Sequence, residues 1–415
     1  MDGTSKLFAR GLQPALEAAL ADTPVVCLLG PRQCGKTTLA RMAQPGRPYV
    51  SLDDENFART ATLDPVGFVA SLPDRVTVDE MQRVPALLSA MKMVVDRDRR
   101  PGRFLLTGSA NLLLLPQVQE SLAGRNETLW LQPLTEAEKQ RAPGRFLENF
   151  LEGRLKPQFG MGPVARGASL ESRLLAGGYP EPCTRPPDRA RQWHRQYLKA
   201  IIERDIKDVA RVREGDELGR LLELLALQTG CLLNASALGL TLGLHRNTAE
   251  HYLSLLERLF LVRRLQPWHR NAAHRLAKTP KVHVVDSGLA ATLRGTREGD
   301  WLQHREAMGH LLESWVVQQL LTQGSWTDPD LRFWHYRDKD KVEVDLVITQ
   351  GRRVWGVEIK ASATVTGREA RGLQRLASHA GPDFQGGILL YDGNDILPCG
   401  LGQFLAVPLR RLWED

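Results

Sequence analysis

The sequence predicts an α/β chain with a mostly parallel sheet at the N-terminus, a helical middle and a second α/β region at the C-terminus. Three observations carry this expectation. From Val25 to Leu131 short apolar runs alternate with helical segments, the pattern of a parallel sheet covered by helices. From Leu170 to Phe260 the apolar spacing is helical, broken by the Gly-Gly-Tyr-Pro turn at Gly177–Pro180. After Leu311 strands and helices alternate again. At about 150 residues per domain, 415 residues make two to three domains. The pattern shifts place boundaries at 1–140 for the parallel-sheet core, 141–215 for a helical lid and connection, 216–280 for a helix-turn-helix with a wing, and 281–415 for the C-terminal domain.

The N-terminal strands are expected at Val25–Leu29, Tyr49–Leu52, Arg75–Asp79, Arg103–Thr107 and Glu127–Leu131. Directly after the first comes Gly30-Pro31-Arg32-Gln33-Cys34-Gly35-Lys36-Thr37, with Thr38 opening a helical run. This satisfies GxxxxGK(S/T) in the strand-loop-helix context that the motif requires. Its glycines let backbone N–H groups curl around phosphates, and the following helix adds its positive N-terminus. Lys36 is expected at the β/γ-phosphates of ATP, and the Thr37 hydroxyl on Mg²⁺. The strand ending Val78-Asp79-Glu80 supplies the second element: Asp79 to hold Mg²⁺ and Glu80 to polarise the attacking water. Thr107, Ser109 or Asn111 could present a polar group to the γ-phosphate, or cap the next helix.

In the middle region, Asn234–Leu242 and Asn247–Phe260 read as two helices joined by a short turn, with Asn247 and Glu250 spaced as a capping box. Helix, turn and helix suggest a helix-turn-helix, with Arg246 exposed near the start of the second helix beside His245, Asn247 and His251. No acid lies between Glu257 and Asp286, an interval that holds Arg258, Arg263, Arg264, Arg270, Arg275, Lys278 and Lys281, with Trp268 among them. A two-stranded wing there would offer charge to DNA phosphates and Trp268 to a base or sugar. The plainer reading is a lid extension with a solvated basic face.

In the C-terminal region, Asp345 sits in the β-branched run Val344–Ile348, and Val357-Glu358-Ile359-Lys360 forms the next strand. Period-2 alternation puts Glu358 and Lys360 on one face and turns Val357 and Ile359 to the core. Glu313 lies on a preceding helix, Met308 to Leu321. A basic rim of Arg332, His335, Arg337, Lys339, Lys341, Arg352 and Arg353 is interrupted by acids.

The stretches LLGPRQCGKTTLA, VTVDEMQRVPALL, FLLTGSANLLLL, SLAGR, GGYPEP, YLKAIIERDI and HVVDSGLAATL resemble the AAA+ class of P-loop ATPases. More narrowly, they resemble a widespread prokaryotic AAA ATPase family, over nearly the whole chain. The resemblance implies a ring, with hexamer the class expectation, in which an arginine of a neighbouring subunit completes the site. Arg125 is the best-placed finger, ahead of Arg83 and Arg204, although a helix-end role after Gly124 is the plainer alternative. Glu313, Asp345, Glu358 and Lys360 resemble the PD-(D/E)xK nuclease core, in which the acids hold Mg²⁺ and the lysine orients or deprotonates the nucleophile.

Composition leaves room for this. With 42% hydrophobic and 25% charged residues, global disorder is excluded. No apolar run approaches the roughly 18 residues of a membrane span, and the first residues, MDGTSKLFAR, lack the apolar run of a secretory signal. Five scattered cysteines without a CxxC suit a reducing cytoplasm. The net charge of +7 permits a polyanionic partner without requiring one. The expectation is therefore an oligomeric, cytoplasmic, ATP-dependent enzyme that binds DNA, branched or forked forms included, and cleaves it at a Mg²⁺-dependent C-terminal nuclease, with no membrane partner. The alternative is a nucleotide-controlled DNA- or protein-binding switch, or a remodelling ATPase, without nuclease activity.

Overall fold

The computed structural model describes residues 7–109, 122–160, 168–205, 215–270, 279–303, 305–400 and 402–414. Asn111, Arg275 and Lys278 lie outside them. The chain divides into two compact units, one of residues 1–134 with 258–260 and one of the remainder. No helix among the described residues is long and apolar enough to cross a membrane.

The first unit is built on five parallel strands: β1 Val25–Leu29, β2 Tyr49–Ser51, β3 Val76–Asp79, β4 Phe104–Gly108 and β5 Asn126–Trp130, in the order β2-β3-β4-β1-β5. All five residues of β1 are buried, as a central strand flanked on both faces requires. Val25 pairs in register with Phe104 and with Asn126, so Leu29 lies level with Gly108 and Trp130. The turns that follow β1, β3 and β4 therefore open on one sheet edge, where parallel sheets place their ligands. The helices Glu55–Leu63, Pro65–Ser71 and Leu87–Arg97 bury Ala61, Phe68, Leu88 and Met91 with Val76, Val78 and Phe104. Asp54 and Asp64 cap the first two of these helices by accepting the amides of Asn56 and Gly67.

The second unit begins with Thr135 and Glu138 in a reciprocal capping box on the helix Glu136–Gln140. The helix Ala235–Leu242, capped by Asn234, ends at left-handed Gly243 and leads into the helix Arg246–Arg258. The second helix differs from expectation: it starts one residue earlier, and His245 Nδ1, not the Glu250 carboxylate, accepts the Asn247 amide at 3.3 Å. Glu250 turns instead to Arg264. Strands β6 Val262–Leu265 and β7 Lys281–Val284 then pair antiparallel.

Three expected DNA contacts do not survive the fold. Arg263 is held within the unit, donating to Gln318 Oε1 at 3.0 Å, with burial pulling its pKa down to about 10. Arg264 is neutralised between Glu250 and Glu257. Trp268 is 3% exposed and packs on Tyr336, ring centroids 6.1 Å apart. The interval from Glu257 to Asp286 is acid-free in sequence but not in space. Arg246 and Arg270 remain exposed.

The C-terminal sheet has the order β12-β13-β11-β10-β9-β8, from β8 Leu331–Arg337, β9 Glu343–Gln350, β10 Arg353–Lys360, β11 Phe384–Tyr391, β12 Leu397–Cys399 and β13 Phe404–Pro408. β8, β9 and β10 form antiparallel hairpins, whereas β10, β11 and β13 are parallel. The helices Arg305–Thr327 and Arg371–Ala380 both pack on β10, which is buried from Val354 to Ile359. β10 thus departs from the expected alternation of one buried and one open face. The residues after β6 join this sheet: the Trp268 amide donates to the His335 carbonyl at 2.6 Å, and the His335 amide to that of Gln266 at 3.0 Å. His335, expected on a basic rim, is 1% exposed, and Arg337 pairs with Glu343.

Two consequences are measurable. Trp268→Ala should cost about 3–5 kcal/mol in denaturant unfolding, as for a buried aromatic, where a surface DNA contact would cost almost nothing. Burial, then Lys281 and Arg337, pull His335 down to about 4 from 6.5, against an opposing pull from Asp345. The folded pKa is depressed, so its contribution is present above pH 6.5 and lost as pH falls through about 4. The acid limb of a stability–pH curve should be shallower in His335→Gln than in the unaltered protein.

Candidate functional site

The loop after β1 is shaped by close backbone approach. A Cβ on Gly30 would lie 2.0 Å from the Leu131 carbonyl oxygen, so only glycine fits. Gly35, at φ +101, takes a conformation that side chains rarely adopt. Gln33, at φ 60, is left-handed without being glycine. Pro31 and Cys34 are buried, with the Cys34 thiol directed at the Leu131 carbonyl at 3.5 Å, while Arg32 is half-buried and Gln33 and Thr38 are exposed. Lys36 is buried, and its Nζ donates to the carbonyls of Gly30 and Pro31 at 3.0 and 2.8 Å, which fixes it across the mouth of the loop.

Asp79 ends β3 beside this loop and gathers hydroxyls from three directions. Thr37 Oγ1 donates to it at 3.0 Å, and Tyr49 and Thr107 donate as well. Burial, reinforced by Asp79, pushes the Tyr49 phenol well above its ordinary pKa, so it remains a donor. Thr37 and Asp79 are close enough to share one hard cation, and both offer oxygen, so this pair fits Mg²⁺. Glu80, left-handed at φ 57, turns its carboxylate to Gln82 Nε2 and to Ser109 Oγ, the latter at 3.3 Å. Strained non-glycine backbone of this kind costs about 1–3 kcal/mol and concentrates at functional sites.

The sequence reading missed Tyr49, Gln82 and Arg10. Arg10 is buried and donates to the Cys34 carbonyl at 2.8 Å and to the Gln132 carbonyl at 2.6 Å, bracing the loop from behind. No sequence signal marks it, because its partners lie 24 and 122 residues away. Arg125 is not brought to this site. It precedes β5 at the opposite edge of the sheet, its carbonyl bonded to the Val25 amide and its guanidinium to Asp96. Five residues of β1 separate the two edges, about 16 Å at about 3.3 Å per residue. Arg83 pairs with Asp53 at 2.6 Å.

In the second unit Glu313, Asp345, Glu358 and Lys360 do come together. Lys360 Nζ is 2.7 Å from Glu358, and the Ile359 amide donates to Asp345 at 2.9 Å. The sequence reading missed Lys281, the first residue of β7. It is 3% exposed, and its Nζ lies 2.7 Å from Glu313, 3.4 Å from Asp345 and 3.7 Å from Glu343. Burial alone would lower the Lys281 pKa, but Glu313 and Asp345 outweigh it and hold the ammonium well above the ordinary value. Burial, then Asp345, raises both Glu313 and Glu358. Among the described residues no group of three or more His, Cys, Asp or Glu is arranged to hold a metal ion, and Lys281 Nζ stands among the carboxylates at the position where a PD-(D/E)xK core would hold Mg²⁺.

Residues 22–139 match a family described as "AAA domain". Residues 167–300 and 308–412 match two domains of unknown function, DUF8612 and DUF4143. The first of these spans both expected boundaries at 215 and 280. Over 352 residues the chain is 32% identical to uncharacterized proteins of Mycobacterium tuberculosis and Mycobacterium bovis, with 84% of this chain and 73% of each of those covered. Among solved structures it is similar to the Walker-type ATPase PABY2304 of Pyrococcus abyssi, at TM-score 0.41 and 16% identity, covering 70% of this chain and 97% of that one. It is also similar to the RuvB Holliday junction branch migration motor of Thermotoga maritima, at TM-score 0.28 and 20% identity, covering 61% and 87%.

The brace predicts its own test. Arg10→Ala removes two charge-assisted hydrogen bonds and should weaken binding of a fluorescent ATP analogue about tenfold, leaving the fold intact by circular dichroism. Unchanged affinity would show that the loop holds its shape without Arg10.

Proposed function

The chain belongs to the family of the two mycobacterial proteins and carries an AAA-type P-loop ATPase domain at residues 22–139, and from that premise we propose that it hydrolyses ATP to control its grip on DNA. The observation that carries the first half is the convergence of Thr37, Tyr49 and Thr107 on Asp79 beside the loop of Gly30–Thr37. The loop amides and Lys36 bind the β- and γ-phosphates, as a positive cradle suits a triphosphate. Thr37 and Asp79 would hold Mg²⁺, which supplies neutralisation of the phosphate charge. Glu80 orients the attacking water and draws its proton, and Gln82 and Ser109 keep that carboxylate aimed.

Arg125 lies too far from its own loop to serve it, and the resemblance to AAA+ ATPases supports its service as a finger to a neighbouring subunit of a homo-oligomeric, hexameric ring. The DNA-facing half rests on the exposed start of the helix Arg246–Arg258, where His245, Arg246, Asn247 and His251 are open, and on Arg270, which is exposed as well. An exposed helix start carrying these side chains suits docking into a groove, with forked or branched DNA as the substrate class. The five scattered cysteines suit such a reaction to a reducing cytoplasm. A second reading, cleavage of that DNA at the C-terminal cluster, is favoured by one observation: Glu313, Asp345, Glu358 and Lys360 meet although they come from one helix and two strands. The geometry around Lys281 favours engagement without cutting, and that is the reading adopted.

Glu80→Gln should retain ATP binding while turnover falls about 10²–10⁴-fold, measured as phosphate release beside nucleotide titration. Forked DNA should bind with an affinity that depends on ATP, and Arg246→Ala should weaken it. Turnover untouched by Glu80→Gln removes the assigned role of that residue. DNA affinity indifferent both to ATP and to Arg246→Ala sinks the DNA-facing half.

A further inference from the structure

The carboxylates that resemble a nuclease core are already served by a cation, and that cation belongs to the chain. We propose that the Lys281 ammonium occupies the metal position of the C-terminal cluster, so that this domain takes up no divalent ion there and does not cut nucleic acid by a metal-dependent route. Lys281 Nζ sits within 3.7 Å of three carboxylates supplied by two elements: Glu313 from the helix Arg305–Thr327, and Glu343 and Asp345 from β9. A point where acids from a helix and a sheet converge is where a hard cation would settle. It is filled by a side chain that cannot readily leave. Lys281 is buried, its strand pairs through Leu265, and the preceding Pro280 carbonyl accepts the Leu233 amide at 2.8 Å.

The remaining oxygens are engaged as well. Arg337 pairs with Glu343, Lys360 with Glu358, and the Ile359 amide with Asp345. The exception is Glu358 Oε2, which is buried without a hydrogen-bond partner beside the Lys360 ammonium. A divalent ion set among these acids would also lie against the Lys281 ammonium, and the two positive charges exclude each other. Lysine is a compact point charge, so it can substitute for an ion where the planar guanidinium of arginine could not fit.

This inference is independent of the ATPase reading, because its test reads metal binding at the C-terminal cluster and not turnover. Mn²⁺ is titrated calorimetrically into the nucleotide-free full-length protein, with thermal unfolding followed in parallel. The unaltered protein and Asp345→Asn should give the same Mn²⁺ titration, since Asp345 is already committed to Lys281. Lys281→Met, which keeps the stem and removes the charge, should bind one additional Mn²⁺ at least about tenfold more tightly and unfold at a higher temperature in its presence. Adding Asp345→Asn to Lys281→Met should abolish that gain. Binding by the unaltered protein that Asp345→Asn removes would overturn the proposal, as would a folded Lys281→Met that gains none. If Lys281→Met does not fold, the comparison of the unaltered protein with Asp345→Asn decides alone.

Discussion

The nucleotide site depends on the register of a parallel sheet. Because Leu29, Asp79 and Gly108 end their strands at one edge, side chains from distant parts of the chain meet without any loop having to reach for them. Asp79 is the point where they meet, accepting hydroxyls that follow β1, lie on β2 and end β4. A buried carboxylate with several donors keeps its position, since each hydrogen bond offsets part of the cost of burying it. Glu80, one residue further, is released from the strand by its left-handed backbone and so points a different way from Asp79. Two adjacent acids thereby acquire different surroundings and separate tasks.

The two clusters of charge show opposite solutions to the cost of burying ions. At the N-terminal site the charged groups are held by neutral donors and backbone carbonyls, which leaves capacity for a charged ligand. At the C-terminal cluster Glu313, Glu343, Asp345 and Glu358 are answered by Lys281, Arg337 and Lys360. Buried ion pairs contribute little net stability but are costly to break from one side, because an uncompensated charge remains. A neutralised cluster of this kind holds a fold in one arrangement and gives a diffusing cation little reason to enter.

Much of the first site was legible from sequence because its information is local: Gly30 to Thr37 are contiguous, and Asp79 and Glu80 end a recognisable strand. The parallel sheet was legible for the same reason, each strand an apolar run with its own turn. What could not be read was what came to lie against those residues. Arg10 braces the loop from outside the motif, and Tyr49 reaches Asp79 from a strand whose residues are only half-buried. In the middle region, charge was mistaken for exposure. Arg263 and Trp268 face Gln318 and Tyr336, partners more than fifty residues away, and no periodicity within the segment reveals a neighbour supplied by tertiary packing. Lys281 was one basic residue among seven until the fold set it among acids.

The short pairing of Gln266 to Trp268 with β8 has a mechanical consequence. Its two backbone hydrogen bonds and the buried indole rivet the strand leaving the helix Arg246–Arg258 to a six-stranded sheet. Gln266 to Trp268 therefore cannot shift unless β8 shifts with them or both hydrogen bonds and the indole packing are given up together.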